Sequence, residues 1–266
     1  MARTPAGTQL TEAHRAAQLA VRAGSLRNLV QLWRVVDPAD LSGTIETFAQ
    51  AAAILAGQGF DQSGVISARY YDLFRRAEGV PGAAPAATAA ARPALGVLAA
   101  DVRGAALSGI IKARRAGLDL EAAKRNGFVR AAGVLGKLVL NGGRRTLLGI
   151  VERDGQALGW ARVTSSDPCP FCRMLASRGP VYKSGRSADF ETHDDCACTV
   201  ETVYRRGYTG LTQAFTYEKE WNEAQRIARE TGNGSTGTKN DALNNYRRYL
   251  AGTLTEGAPQ GTEGSG

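Results

Sequence analysis

Histidine is almost missing from this chain of 266 residues, which holds only His14 and His193. Catalysis that pairs a nucleophile or a water with a histidine base therefore has little to draw on. Aromatic residues make up 7%, too few for a core built mainly from sheets. No uninterrupted apolar run reaches the roughly 18 residues of a membrane-spanning helix. Neither a G-x-x-x-x-G-K-[ST] phosphate loop nor a G-x-S-x-G elbow occurs. Met1 to Leu10 has no apolar stretch of the kind that marks a secretory signal, so a cytosolic start is expected. Thiols stay reduced there, and the four cysteines are read as metal ligands or reactive groups before disulfides.

What the chain has in quantity is alanine, glycine and arginine. Its 43% hydrophobic and 22% charged residues fit an ordinary folded protein. The net charge of +8 is unevenly spread. Residues 1–153 carry 20 Lys and Arg against 11 Asp and Glu, a net of +9, and the remainder comes to −1. All the cysteines fall in the neutral part. The basic part invites a polyanion such as double-stranded DNA, through contacts that read no sequence. A solvated, arginine-rich helical surface would look the same.

Apolar spacing of three and four predicts helices through most of the basic part. The first is expected from a Thr11 cap to about Val36, with Leu19, Ala23, Leu26, Val30 and Trp33 on its inner face. Asp37-Pro38 ends it and is expected to cap the next helix. Ile45, Phe48, Ala52 and Leu55 form a second stripe, closed by Gly57 and Gly59. Ile66, Tyr70, Leu73 and Ala77 form a third, closed by Gly79. Residues 80–93 are rich in Pro, Gly and Ala and read as a linker or exposed loop. Stripes resume at Leu95, Leu98, Val102, Ala106 and Ile110, and again from Leu120 to Leu138. Gly142-Gly143 is expected to break that helix before a short one over 144–152, unless glycines inside such stripes mark close helix contacts. Trp160–Thr164, Val181-Tyr182 and Cys198–Tyr204 read as strands. Helices follow at Tyr217–Glu230 and Asp241–Leu250, on either side of a loop at 231–239.

The expected fold class is α+β. A mainly α-helical bundle over 1–153 precedes a small zinc-knuckle-like α/β module over 154–210. C-terminal helices occupy 211–252, and 253–266 is expected to be a disordered tail.

The chemistry is concentrated in one constellation. Cys169-Pro-Phe-Cys172 is followed, twenty residues on, by His193-Asp-Asp-Cys196-Ala-Cys198. A C-x2-C knuckle joined to a second Cys/His cluster at this distance is the spacing of a structural zinc site. Each cluster supplies ligands from one turn, and the intervening loop folds back to close a tetrahedron. Cys169, Cys172, His193, Cys196 and Cys198 offer five candidates for four places. Cys196 and Cys198 are expected to face opposite ways, so that only one of them reaches the metal. A redox-active C-x2-C is disfavoured because no βαβ unit precedes it.

Catalytic uses of the same residues fare worse. Pro168-Cys169-x-x-Cys172 matches half of a zinc deaminase signature, but the only upstream histidine, His14, lacks the H-x-E context and is expected on an exposed helix face. As a ligand, His193 could not also serve as a nuclease base. Asp194 and Asp195 are read as solvated. An enzyme is not expected.

The stretch GWARVTSSDPCPFCRMLASRGPVYKSG, with THDDCACTVETVY after it, resembles the Mu F-like minor capsid (head morphogenesis) proteins of tailed bacteriophages, above all their actinobacteriophage branch. The shared pattern is Cys169-x2-Cys172, Gly179-Pro180-Val181-Tyr182, His193-x2-Cys196-x-Cys198 and the apolar strand at 199–203. The likeness is specific over residues 158–204, and the N-terminal helical run is also similar. The resemblance implies a minor structural protein of the phage head, located in the virion near the portal. It implies roles in head assembly or in handling packaged DNA. Its partners would be portal and major capsid proteins, with double-stranded DNA reached through the basic part, and with neither a membrane nor a small-molecule substrate. The alternatives are a stand-alone zinc-containing nucleic-acid-binding protein and, further off, a nuclease or injected effector.

Overall fold

The computed structural model describes residues 4–182, 194, 196–205, 212–232 and 241–254. Four long helices come first: α1 (Pro5–Leu32), α2 (Leu41–Ala77), α3 (Leu95–Arg115) and α4 (Leu120–Arg153). Then follow β1 (Gly159–Val163), α5 (Pro170–Ser177), β2 (Val181–Tyr182), β3 (Thr199–Val203), α6 (Thr212–Glu230) and α7 (Asp241–Leu250). The chain is α+β and mainly helical. The antiparallel sheet has the order β2-β1-β3, with Gly159 opposite Val203 and Val163 opposite Thr199.

α1 begins earlier than expected. Thr4 caps it, its Oγ1 accepting from the Gly7 N–H at 2.9 Å, and Pro5 takes the first helical position. Thr11 is instead a buried residue inside the helix. The inner face also differs. Thr11, His14, Gln18, Val21, Ser25 and Leu29 are buried, whereas Ala23 and Val30 are exposed. A polar stripe can face inward because its groups pair with one another. Gln18 Nε2 donates to the Ser63 carbonyl at 3.0 Å, and Ser63 Oγ donates back to Gln18 Oε1 at 2.5 Å. Asp37 caps no helix. It accepts from the Ala39 N–H at 2.8 Å in a local turn, and Asp40 caps α2.

Gly79 lies just past the end of α2, as expected, but the other glycines expected to end helices lie inside them. α2 runs unbroken through Gly57 and Gly59, and α4 through Gly142 and Gly143. Gly59, Gly142 and Gly143 mark places where helices cross closely. A Cβ on Gly142 would lie 2.0 Å from the Phe60 carbonyl oxygen, and one on Gly59 would lie 2.7 Å from Val139. The expected second and third stripes thus belong to one helix. Trp33, Phe48, Leu98, Val102, Ile110 and Leu135 fill the bundle core between these crossings.

Residues 80–93 contain no helix or strand, but they are tied to the bundle. Arg75 donates to carbonyls at Val80, Pro81 and Gly82, and the Ala90 N–H donates to Thr146 Oγ1 at 2.9 Å. The sheet shares a core with α2 and α4: Trp160 and Val200 pack with Tyr70, Tyr71, Phe74, Leu147 and Ile150. Asp154, at the end of α4, accepts from Tyr71 Oη at 2.6 Å and pairs with Arg75 at 3.3 Å. On the far side, Met174 of α5 packs with Ile227, Leu243 and Tyr246 of α6 and α7. The short helix carrying the C-x2-C is therefore held from both directions. The tail expected at 253–266 and the loop at 231–239 lie almost wholly outside the described residues.

Candidate metal centre

α5 presents the first cysteine pair. Cys169 is its N-cap, with Sγ accepting from the Cys172 N–H at 3.4 Å, and Pro170 supplies the pre-set φ of the first turn. This geometry turns Cys172 inward, where it is buried. The second pair arrives on the segment leading into β3. Cys196 and Cys198 are both buried, and the Cys172 and Cys196 sulfurs lie 3.4 Å apart. The Sγ atoms of Cys172, Cys196 and Cys198 all lie within 4.8 Å of one another. Cys196 and Cys198 therefore share the site rather than dividing. The reason is the two-residue period of extended backbone, which places i and i+2 on the same side.

The donor set fits a metal. Thiolates about 2.3 Å from a tetrahedral zinc lie roughly 3.8 Å from each other. The Cys172–Cys196 separation of 3.4 Å lies within a few tenths of an ångström of that spacing. All four cysteines are free thiols. Cys169 and Phe171 pack against the buried three, leaving Cys169 as one candidate for a fourth place. The other, His193, lies outside the described residues, as does Asp195. Asp194 is exposed and faces Lys137 at 3.7 Å.

The thiols compete for one negative charge. Hydrogen bonds from Cys172 and Cys198 pull the Cys196 thiol far down, and the Arg144 cation adds to this. Cys172 is pushed up by its bonds to Cys169, Cys196 and Cys198, and by burial. Cys198 is drawn down by Cys172, but its bond to Cys196 and burial outweigh this and leave it at about 11. Hydrogen bonds among the thiols and the nearby Arg144 cation thus favour a thiolate within the cluster, the form a metal needs.

Two buried cations border the cluster and were not legible as site residues. Arg144 on α4 donates from Nε to the Cys198 carbonyl at 3.0 Å and from Nη2 to the Cys196 carbonyl at 2.6 Å. Arg162 on β1 is also buried, and its charge acts on Cys198. One signal for Arg144 was present. It interrupts an apolar stripe at Leu140, Leu147 and Val151, while Arg145 beside it is exposed.

A family model described as VG15 protein matches residues 6–224. The chain belongs to that family. It is therefore a viral protein, and the VG15 match runs from the first turn of α1 into α6, so the bundle, the sheet and the thiol cluster all lie inside it. No curated protein matches the chain, and no solved structure does. Among the described residues of this VG15 chain, no helix is long and apolar enough to cross a membrane.

His14, expected on an exposed face, is 4% exposed. It stacks on Tyr70 with ring centroids 4.2 Å apart, and Nε2 bonds Ser67 Oγ at 2.8 Å. Its Nδ1 lies 3.4 Å from Thr199 Oγ1, one residue beyond Cys198. Burial lowers its pKa to about 3, so the ring is neutral.

Proposed function

We propose that this viral chain is a minor structural protein of a phage head, of the Mu F-like head-morphogenesis type, and that it acts near the portal. The observation that carries the reading is the thiol cluster. A motif shared with those proteins, split across more than twenty residues, closes into one buried site within a chain of a viral family. The metal is zinc and its role is structural. Soft thiolate donors select it, and Cys172, Cys196 and Cys198 are buried between α5 and the segment leading into β3, with Cys169 and Phe171 packed against them. Zinc there ties α5 to the sheet and so holds the module over 154–210 together, with no part in catalysis.

The partners are portal and major capsid proteins. Double-stranded DNA is a further partner of the basic part, where Arg103, Lys112, Arg114 and Arg115 on α3 and Arg125 and Arg130 on α4 are exposed. Such contacts weaken steeply with salt, because each neutralised phosphate releases counterions. The decisive experiment is mass spectrometry of purified particles. Recovery of this chain with DNA-filled heads, at a low fixed ratio to major capsid protein, is the expected result. Recovery only in the soluble fraction would overturn the head assignment. Salt-sensitive DNA binding by that soluble protein would then favour the nucleic-acid-binding alternative.

A further inference from the structure

Arg144 lies on the inner face of α4 and is 3% exposed. Its fork makes three contacts. Besides the carbonyls of Cys196 and Cys198, Nη1 donates to Asn141 Oδ1 at 3.0 Å, one turn back on the same helix. A planar guanidinium fixed by Asn141 can hold two carbonyls two residues apart in one orientation, which a lysine ammonium cannot do. Holding those carbonyls keeps residues 196–198 extended, and the extended form puts both sulfurs on the side of Cys172. Burying a guanidinium is costly unless negative charge lies close by. Here the buried thiol cluster lies beside it, and Arg144 holds the carbonyls of two of its cysteines. A divalent ion on three or four thiolates leaves a net negative charge of one or two, so the cation and the loaded site stabilise each other.

We propose that Arg144 is a positioning residue of the metal centre, presenting Cys196 and Cys198 to the ion and anchoring the centre to α4. This rests on the metal-binding reading given above. Arg144 donates to backbone carbonyls of the cysteine segment. It acts through the two peptide groups, as outer-shell hydrogen bonds do around metal ligands. The consequence is mutual dependence: the bundle preforms the cysteine segment, and the bound ion fixes that segment against the bundle.

The test is cobalt titration of the full chain, followed by the thiolate-to-cobalt absorption, with zinc as competitor. Three variants are compared with the wild type: Arg144→Met, Arg144→Lys and Leu147→Ala. Leu147 is buried one turn further along α4 and serves as a packing control. Arg144→Met is expected to weaken cobalt binding about 10- to 100-fold and to lower the absorption per bound cobalt. Arg144→Lys is expected to retain part of the affinity, and it carries the test if the methionine variant does not fold. Leu147→Ala is expected to lower the melting temperature while leaving affinity and absorption close to wild type. Wild-type binding by both Arg144 variants would overturn the proposal, as would an equal loss in Leu147→Ala. A wild-type chain that binds neither cobalt nor zinc would overturn the metal reading and this inference together.

Discussion

A histidine sealed among hydroxyls and an aromatic ring resists protonation, and His14 shows the consequence for stability. Folded, its pKa is about 3 against an ordinary 6.5. Below pH 6.5 the unfolded chain takes up a proton that the native chain refuses. The stability that depends on a neutral His14 is therefore intact above pH 6.5 and falls as pH drops toward 3. The slope reaches about 1.4 kcal/mol per pH unit. Between pH 7 and pH 5 the wild type should lose about 2 kcal/mol more than His14→Gln, measured by urea unfolding at both values. Equal losses would mean that the ring titrates normally. Asp154 tests a buried pair in a different way. Burial would raise its carboxyl, but bonds from Tyr71, the Gln156 N–H and Arg75 hold it below its usual range. Asp154→Asn leaves the Arg75 cation buried without that carboxylate, and should cost about 3–5 kcal/mol in urea unfolding. A loss below about 1 kcal/mol, the level of an exposed pair, would show that the carbonyls at 80–82 suffice for Arg75.

Helices in this chain are built around glycine, and the sign of a glycine substitution depends on what faces it. Alanine is the better helix former by about 1 kcal/mol. Gly104 on α3 faces open space, so Gly104→Ala should stabilise the protein by about 0.5–1 kcal/mol. Gly142 faces the backbone of Phe60, which cannot move aside as a side chain can. Gly142→Ala should therefore destabilise by about 1–3 kcal/mol, despite the gain in propensity. Thermal melts of the two variants should shift in opposite directions, and a shared upward shift would refute the close crossing of α2 and α4. Glycine as a sequence signal is ambiguous between a breaker and a contact point. Gly59, Gly142 and Gly143 read as the first and act as the second, because only the neighbouring helix distinguishes them. The α1 stripe was misread for a related reason. Apolar periodicity cannot detect an inner face made of Thr11, His14, Gln18 and Ser25, whose burial depends on partners in α2 and β3. By contrast, Leu98, Val102, Ala106 and Ile110 are buried as expected, since plain apolar burial decides that face, while Leu95 at the first turn of α3 is exposed.

At the scale of the molecule, the thiol cluster and the bundle are joined rather than merely adjacent. Trp160 and Val200 of the sheet pack with Tyr71 and Leu147 of the bundle, and Arg144 spans from α4 to the cysteine segment. Removing the proposed zinc should therefore lower the stability of the whole chain and not release one loop. Structural zinc contributes on the order of 10 kcal/mol in small domains. Calorimetry with and without a chelator should show a lower melting temperature for the stripped chain, with the bundle and sheet melting in one transition. A bundle transition unmoved by chelation would show that the two parts are energetically separate.

The sequence by itself determined the fold class, a strand expected at 160–164 and found at 159–163, the strand at 181–182, the helix at 241–250 and the cysteines that form the cluster. Local periodicity and short-range spacing dictate these, and both are written along the chain. The tertiary structure decided what distant neighbours control. It brought Cys196 and Cys198 together to the side of Cys172. It turned breakers into crossings, buried His14, and set Arg144 on carbonyls more than fifty residues away. No local pattern records such pairings, because a buried polar group is tolerable only where its partner arrives from elsewhere in the fold.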